Sequence, residues 1–146
     1  MGEMFQTDVE LPAPVEEVFR HLTDPVAMIR WMGQHATLEP EPGGAFCVDI
    51  NGVPVRGQYL EVVPPHRIVV SWGVAGSADM PPGATTVEFT LTPIESGTRL
   101  RLVHRDLSDA QVGMHATGWD HFLPRLATAV TGADPGPDLW LEGASG

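Results

Sequence analysis

Hydrophobic and polar positions alternate at the start of the chain and then lengthen their period. In "MFQTDVEL" (4–11), Phe5, Thr7, Val9 and Leu11 alternate with Gln6, Asp8 and Glu10, the period-two pattern of a half-buried strand. Val15, Val18, Phe19 and Leu22 then recur at i, i+3, i+4 and i+7, which predicts a short helix with Pro14 in its first turn. Glu16 and Glu17 complement its positive end. "TDPVAMIRWMG" predicts a second helix, capped by Asp24, with Pro25 in first position and Gly33 as its stop.

Strand periodicity returns in the middle. "AFCVDI" sets Phe46, Val48 and Ile50 against Cys47 and Asp49, and Asn51-Gly52 is a strong hairpin signal leading into "VPVRGQYLEVV". Pro64-Pro65 marks a turn before the strand "HRIVVSWGV" (66–74). "AGSADMPPG" (75–83) reads as a Gly/Pro-rich loop with Met80 at its tip. "TTVEFTLTP" places Val87, Phe89 and Leu91 opposite Glu88, Thr90 and Thr92; "ESG" then turns into "TRLRLVHRDL", where Leu100, Leu102 and His104 share a face. Such short connections imply an antiparallel meander.

The last element opens on "SDAQ" (108–111), a capping box with Ser108 as cap and Gln111 three residues on. Its pattern continues toward Gly132, about 24 residues or roughly 36 Å of helix. Pro124 lies inside it and predicts a kink. Within it, "MHATGWDHF" (114–122) crowds together two histidines, an aspartate and a tryptophan. At about 100° per residue, His115, Trp119, Phe122, Leu126 and Val130 fall on one stripe, while Asp120 and His121 point away toward water. Metal ligation from one helix needs histidines four apart, and 115 to 121 is six, so no metal site is expected. Gly118 weakens the helix by about 1 kcal/mol, which points to close approach by a strand or a ligand.

Composition narrows the function classes. The formal charge of −11 argues against nucleic-acid binding, which needs clustered cations. All eight basic residues are arginines, so lysine-dependent chemistry (Schiff bases, pyridoxal phosphate, the P-loop) is excluded. No cofactor is implied. Arginine without lysine, beside abundant Ala, Gly and Pro, points to a GC-rich bacterial source. Cys47 is the only cysteine, no apolar run is long enough to span a membrane, and the acidic start lacks a signal-peptide pattern. A cytoplasmic address is expected.

The elements give the order β-α-α-β-β-β-β-β-β-α, an α+β domain in which a curved antiparallel sheet wraps a long C-terminal helix. This order resembles the helix-grip fold of the START-like (SRPBCC) superfamily. Four local patterns resemble its branch of activator-of-heat-shock-protein-90-ATPase homologues: "APVEEVFRHLTDPVAMIRWM", "GQYLEVVPPHRIVVSW", "LRLVHRDL" and the "GW" at Gly118-Trp119. The resemblance covers about residues 4–131 and implies one domain over 1–131, followed by a flexible acidic Gly/Pro tail, 132–146. Pro124 departs from the uninterrupted helix that the resemblance implies. Within the tail, Leu139, Trp140 and Leu141 are expected to dock locally on the body rather than to bind a partner. The superfamily includes carriers, cyclases, hydratases and co-chaperones, so the resemblance leaves function open.

A sheet gripping a helix encloses space, and that space is the default binding site. Its candidate lining is Trp31, Phe46, Val48, Trp72, Phe89, Trp119 and Phe122, each of which the same periodicity makes a core residue first. The indole N–H groups need partners, which a ligand could supply. His104 and His115 are the polar exceptions on apolar faces: satisfied core histidines, or, if they converge on the cavity, groups that move or accept protons. Arg56 depends on register. With Leu60 and Val62 inward it enters the cavity; with Val55, Tyr59 and Val63 inward it is a solvated charge, the reading preferred here, and Gly57 is a candidate bulge. Ser77 and Asp79 lack a nucleophile-elbow pattern, and Cys47 has no cation to activate it.

Three functions remain in competition. The first is binding of a small hydrophobic or aromatic molecule in the cavity, by a monomer or homodimer. The second is a cyclase, dehydratase or hydrolase using His104 and His115, which requires the two rings to meet. The third, implied by the resemblance alone, is a chaperone-partner module. The ATPase-activating member of that family carries a further N-terminal domain, and no such domain is expected from the residues before Met4.

Overall fold

The computed structural model describes residues 3–136 and residue 138. Its element order is β1 (Glu3–Leu11), α1 (Val15–Thr23), α2 (Pro25–Trp31), β2 (His35–Leu38), β3 (Ala45–Ile50), β4 (Val53–Val63), β5 (Arg67–Val74), β6 (Thr85–Ile94), β7 (Gly97–Leu107) and α3 (Asp109–Ala129). The seven strands form one sheet in the order β1-β7-β6-β5-β4-β3-β2, with every pairing antiparallel. β2 supplies the strand that the overall order requires but that no periodic pattern marks, because four residues are too few to show a period. No described helix is long and apolar enough to cross a membrane.

Each element forms for a local reason. Asp24 Oδ1 accepts from the Val26 N–H at 3.0 Å, and Pro25 needs no acceptor there, so a single residue separates α1 from α2. Asn51 and Gly52 both take positive φ (51° and 88°), the pairing that a two-residue hairpin between β3 and β4 demands. Ser108 and Gln111 form the full capping box of α3, and that helix runs through Pro124 to Ala129.

The bulge in β4 lies at a different place from the one the sequence suggests. Pairing with β5 shifts between Tyr59, opposite Val70, and Glu61, opposite Val69. Leu60 is the extra residue and is exposed, so the inward side changes parity along the strand: Val55 and Tyr59 before the bulge, Val62 after it. Val63 therefore points out, contrary to the inward assignment. Arg56 faces outward and pairs with Asp49 at 2.9 Å. Gly57 has another function: a methyl there would collide with the Ser71 carbonyl oxygen of the adjoining strand.

α3 packs against α2, β1 and β7. Its second half carries the anchors Phe122, Leu123, Leu126 and Ala129, followed by Val130, all buried. Fully burying a Leu or Phe side chain is worth about 1.5–3 kcal/mol, so these contacts fix the helix on the body. The first half is less buried, with Met114 exposed and His115 half-buried. His121 does not face water as its helical angle suggests: Nε2 lies 2.8 Å from Asp138 Oδ1, and the Asp138 carboxylate also accepts from Asn51 Nδ2 at 3.1 Å. The start of the tail therefore touches the body, with Arg125 Nη2 donating to the Gly136 carbonyl at 3.0 Å. Leu139, Trp140 and Leu141 lie outside the described residues.

Two alanine substitutions test these assignments in opposite directions. Gly57→Ala should lower the unfolding free energy by about 1–3 kcal/mol through overpacking against the neighbouring strand. Gly113→Ala, in α3 with open space around its Cβ position, should raise it by about 0.5–1 kcal/mol. Urea denaturation of both variants checks this, and shifts of the same sign would contradict the assignments.

Candidate functional site

The cavity lies where the first half of α3 spans one end of the curved sheet, with a volume of about 600 Å³. Ile50, Val53, Val55, Trp72 and Val74 form its floor, and Met114, His115, Gly118, Trp119 and Phe122 line the helix side. Met32 closes one side, and Ser77, Asp79 and Met80 from the 75–83 loop close another. Met80 is not a loose tip: its side chain is buried, and its carbonyl accepts from the Val74 N–H at 2.8 Å. Gln111 Nε2 donates to the Asp79 carbonyl at 3.3 Å, which joins that loop to the mouth of the helix.

Behind the cavity, one chain of hydrogen bonds ties α3 to the sheet. Trp119 Nε1–H donates to His104 Nδ1 at 3.1 Å. His104 Nε2 lies 2.9 Å from Thr85 Oγ1, and the Thr85 hydroxyl donates to the Trp72 carbonyl at 2.7 Å. The directions fix the tautomer: Nδ1 accepts, so the neutral ring carries its proton on Nε2 and donates it to Thr85. Desolvation, reinforced by His115 alongside, pushes the pKa of His104 down to about 2. The His104 and His115 rings do meet, with centroids 4.6 Å apart. A proton-transfer pair does not result, because both His104 nitrogens are already engaged and its cationic form is strongly disfavoured.

His115 differs. Its Nδ1–H donates to the Gln111 carbonyl at 2.9 Å, so Nε2 is left with a lone pair and no partner among the described residues. Desolvation lowers the His115 pKa, against a smaller upward push from the bond to Gln111. The group is therefore a neutral hydrogen-bond acceptor on the cavity wall.

Of the nine side chains the sequence nominates, the structure brings Trp72, His115, Trp119 and Phe122 to the cavity lining. Trp31, Phe46, Val48, Phe89 and His104 are not in the lining; they are fully buried in the core. Trp31 has no indole N–H to offer a ligand, since Nε1 donates to the His21 carbonyl at 3.0 Å. Phe46 packs edge-on against Tyr59 and supports Trp72 from behind, with centroids 5.6 and 5.7 Å away. Met32, Met80 and Met114, together with Ile50, Val53, Val55 and Val74, are apolar lining residues that the sequence does not nominate. An apolar Met80 inside a Gly/Pro-rich loop was the signal available, since a large apolar residue in such a loop must find a surface to cover.

The depressed histidine pKa values set a pH dependence. A folded-state pKa below the unfolded value near 6.5 means that the unfolded chain binds protons more readily. The contribution of these two histidines to stability is therefore fully present above about pH 6.5 and is lost as pH drops below it, at up to about 1.4 kcal/mol per pH unit for each. Urea unfolding between pH 7.5 and 5 should show a shallower slope in His104→Gln than in the parent chain. The amide can still accept from Trp119 and donate to Thr85. Parallel slopes would contradict the assignment of His104 as a buried neutral base.

Comparisons with known proteins agree with this architecture. The family described as "Activator of Hsp90 ATPase homolog 1-like protein" matches residues 12–131. An AHSA1-like protein from Rhizobium etli, whose solution structure is known, is 43% identical, with 96% of this chain and 89% of that one covered and a TM-score of 0.77. CalU16 from Micromonospora echinospora is 28% identical over 99% of this chain and 81% of that one, with a TM-score of 0.71. DynU16, from the dynemicin biosynthetic locus, is 27% identical over 92% of this chain but 50% of that one, with a TM-score of 0.79. No curated protein matches this chain. With its family match spanning α1 to the end of α3 on a helix-grip architecture, the chain belongs to the family of Activator of Hsp90 ATPase homolog 1-like proteins.

Proposed function

We propose that this protein binds a small apolar or aromatic molecule between the sheet and the first half of α3. The observation that carries the reading is the cavity itself: about 600 Å³, walled mainly by Val, Ile, Met, Phe and Trp side chains, with few polar groups. Pockets of this size and character bury most of the surface of a drug-sized ligand. The wall is also braced. Trp72 and Trp119 stand 5.4 Å apart at an angle of 51°, each held by a neighbour, so their faces keep their positions without a ligand. Such preorganisation reduces the ordering cost of binding. For the alternative, an acid–base enzyme, His104 cannot serve as the partner of His115, because both its nitrogens are engaged in the sheet.

Gly118 provides the test. It lines the cavity from inside a helix, and a side chain there improves helix propensity by up to about 1 kcal/mol. The uncharged fluorophore N-phenyl-1-naphthylamine should bind the parent chain saturably, with one site per chain and enhanced emission. Gly118→Leu should keep or raise the melting temperature and lose that site. Equal probe binding by both proteins, or no saturable binding by the parent, would overturn the reading.

A further inference from the structure

The chemistry of the cavity wall also restricts the class of ligand. This inference rests on the cavity reading above. None of the eight arginines lines the cavity, and the chain has no lysine. Arg20, Arg56, Arg67, Arg99, Arg101 and Arg105 are paired with carboxylates elsewhere, and Arg125 donates to the Trp31 and Gly136 carbonyls. Among the described residues, the ionisable members of the lining are His115 and Asp79, the latter on an exposed part of the loop. An anion entering this space would lose its hydration without gaining a counter-charge, which is strongly unfavourable.

The mouth offers an anion little compensation. The start of α3 contributes Ser108, Ala110 and Gln111 to the lining, and a bare helix N-terminus would attract negative charge. This one is already capped: Ser108 Oγ accepts from the Gln111 N–H, Gln111 Oε1 accepts from the Ser108 N–H, and Asp109 occupies the first turn. Ser77 Oγ is likewise engaged, accepting from the Met80 N–H at 3.0 Å.

Two polar groups of the aromatic wall remain unused. His115 Nε2 presents a lone pair, and Trp72 Nε1–H is a donor; neither has a partner among the described residues. A hydroxyl donates, so it complements the imidazole lone pair. A carboxylate can accept from the indole but opposes the imidazole lone pair. We propose that the cavity selects uncharged aromatic molecules bearing a hydroxyl group, anchored on His115 Nε2, and rejects aromatic carboxylates.

Isothermal titration calorimetry at pH 7.5 with three probes of one ring size tests this: 2-naphthol, 2-methoxynaphthalene and 2-naphthoate. The naphthol should bind about tenfold tighter than the methyl ether, the worth of one well-made hydrogen bond. The naphthoate should bind weakest of the three. In His115→Leu the ratio of naphthol to ether affinity should collapse toward one. Naphthoate binding as tightly as naphthol, or equal affinities for naphthol and ether in the parent chain, would overturn the proposal while leaving the cavity reading standing. Failure of all three probes to bind would remove both. Should the leucine variant not fold, the order of the three affinities in the parent chain decides the matter alone.

Discussion

Much of this structure depends on a single requirement, that an indole, an imidazole and a hydroxyl buried together must all find hydrogen-bond partners. An unmet donor or acceptor in a dry interior costs about 1–3 kcal/mol. The chain from Trp119 through His104 and Thr85 to the Trp72 carbonyl meets every one of these demands in a single direction. Because its members come from α3, β7, β6 and β5, it also fixes how deep and at what rotation the helix sits on the sheet. The same logic recurs at α1, where Trp31 Nε1–H and the Tyr59 hydroxyl donate to the carbonyls of His21 and Leu22. Large amphipathic side chains thus act as spacers as well as core.

This explains why α3 has two different halves. Beyond Trp119 the stripe of Phe122, Leu123 and Leu126 closes down on the body with aliphatic contacts. Before it, the stripe thins to His115 and Val112, and the helix spans open space toward its cap at Ser108. The loop between β5 and β6 then closes one side, with Met80 tucked inward and Asp79 bonded to Gln111. The cavity is therefore a consequence of where the hydrogen-bonded chain crosses the helix.

The sequence was informative wherever one periodicity ruled. The faces of β1, β6, β7 and α3 follow from alternation and the helical period, and the capping box and the Asn51-Gly52 turn formed as their chemistry requires. It was less informative where periodicity is broken or is silent about depth. In β4 the extra residue Leu60 reverses the inward side, which no alternation pattern can reveal in advance. Period gives the face on which Phe46, Val48 and Phe89 lie, but not which end of the sheet the helix leaves uncovered, so these three are core and Ile50, Val53 and Val74 line the cavity instead. His104 and His115 share an apolar interior and differ in function because of their partners, and partners across the fold have no local signature.

The central claim is that the space under the first half of α3 is where a ligand resides. The most direct measurement is the location of a bound neutral aromatic probe by intermolecular nuclear Overhauser effects in solution. The account predicts contacts from N-phenyl-1-naphthylamine to the Trp72 and Trp119 rings and to the methyl groups of Met80 and Met114. Contacts confined to exposed apolar positions such as Val26 and Ile29 on α2, with none to the two tryptophans, would contradict it.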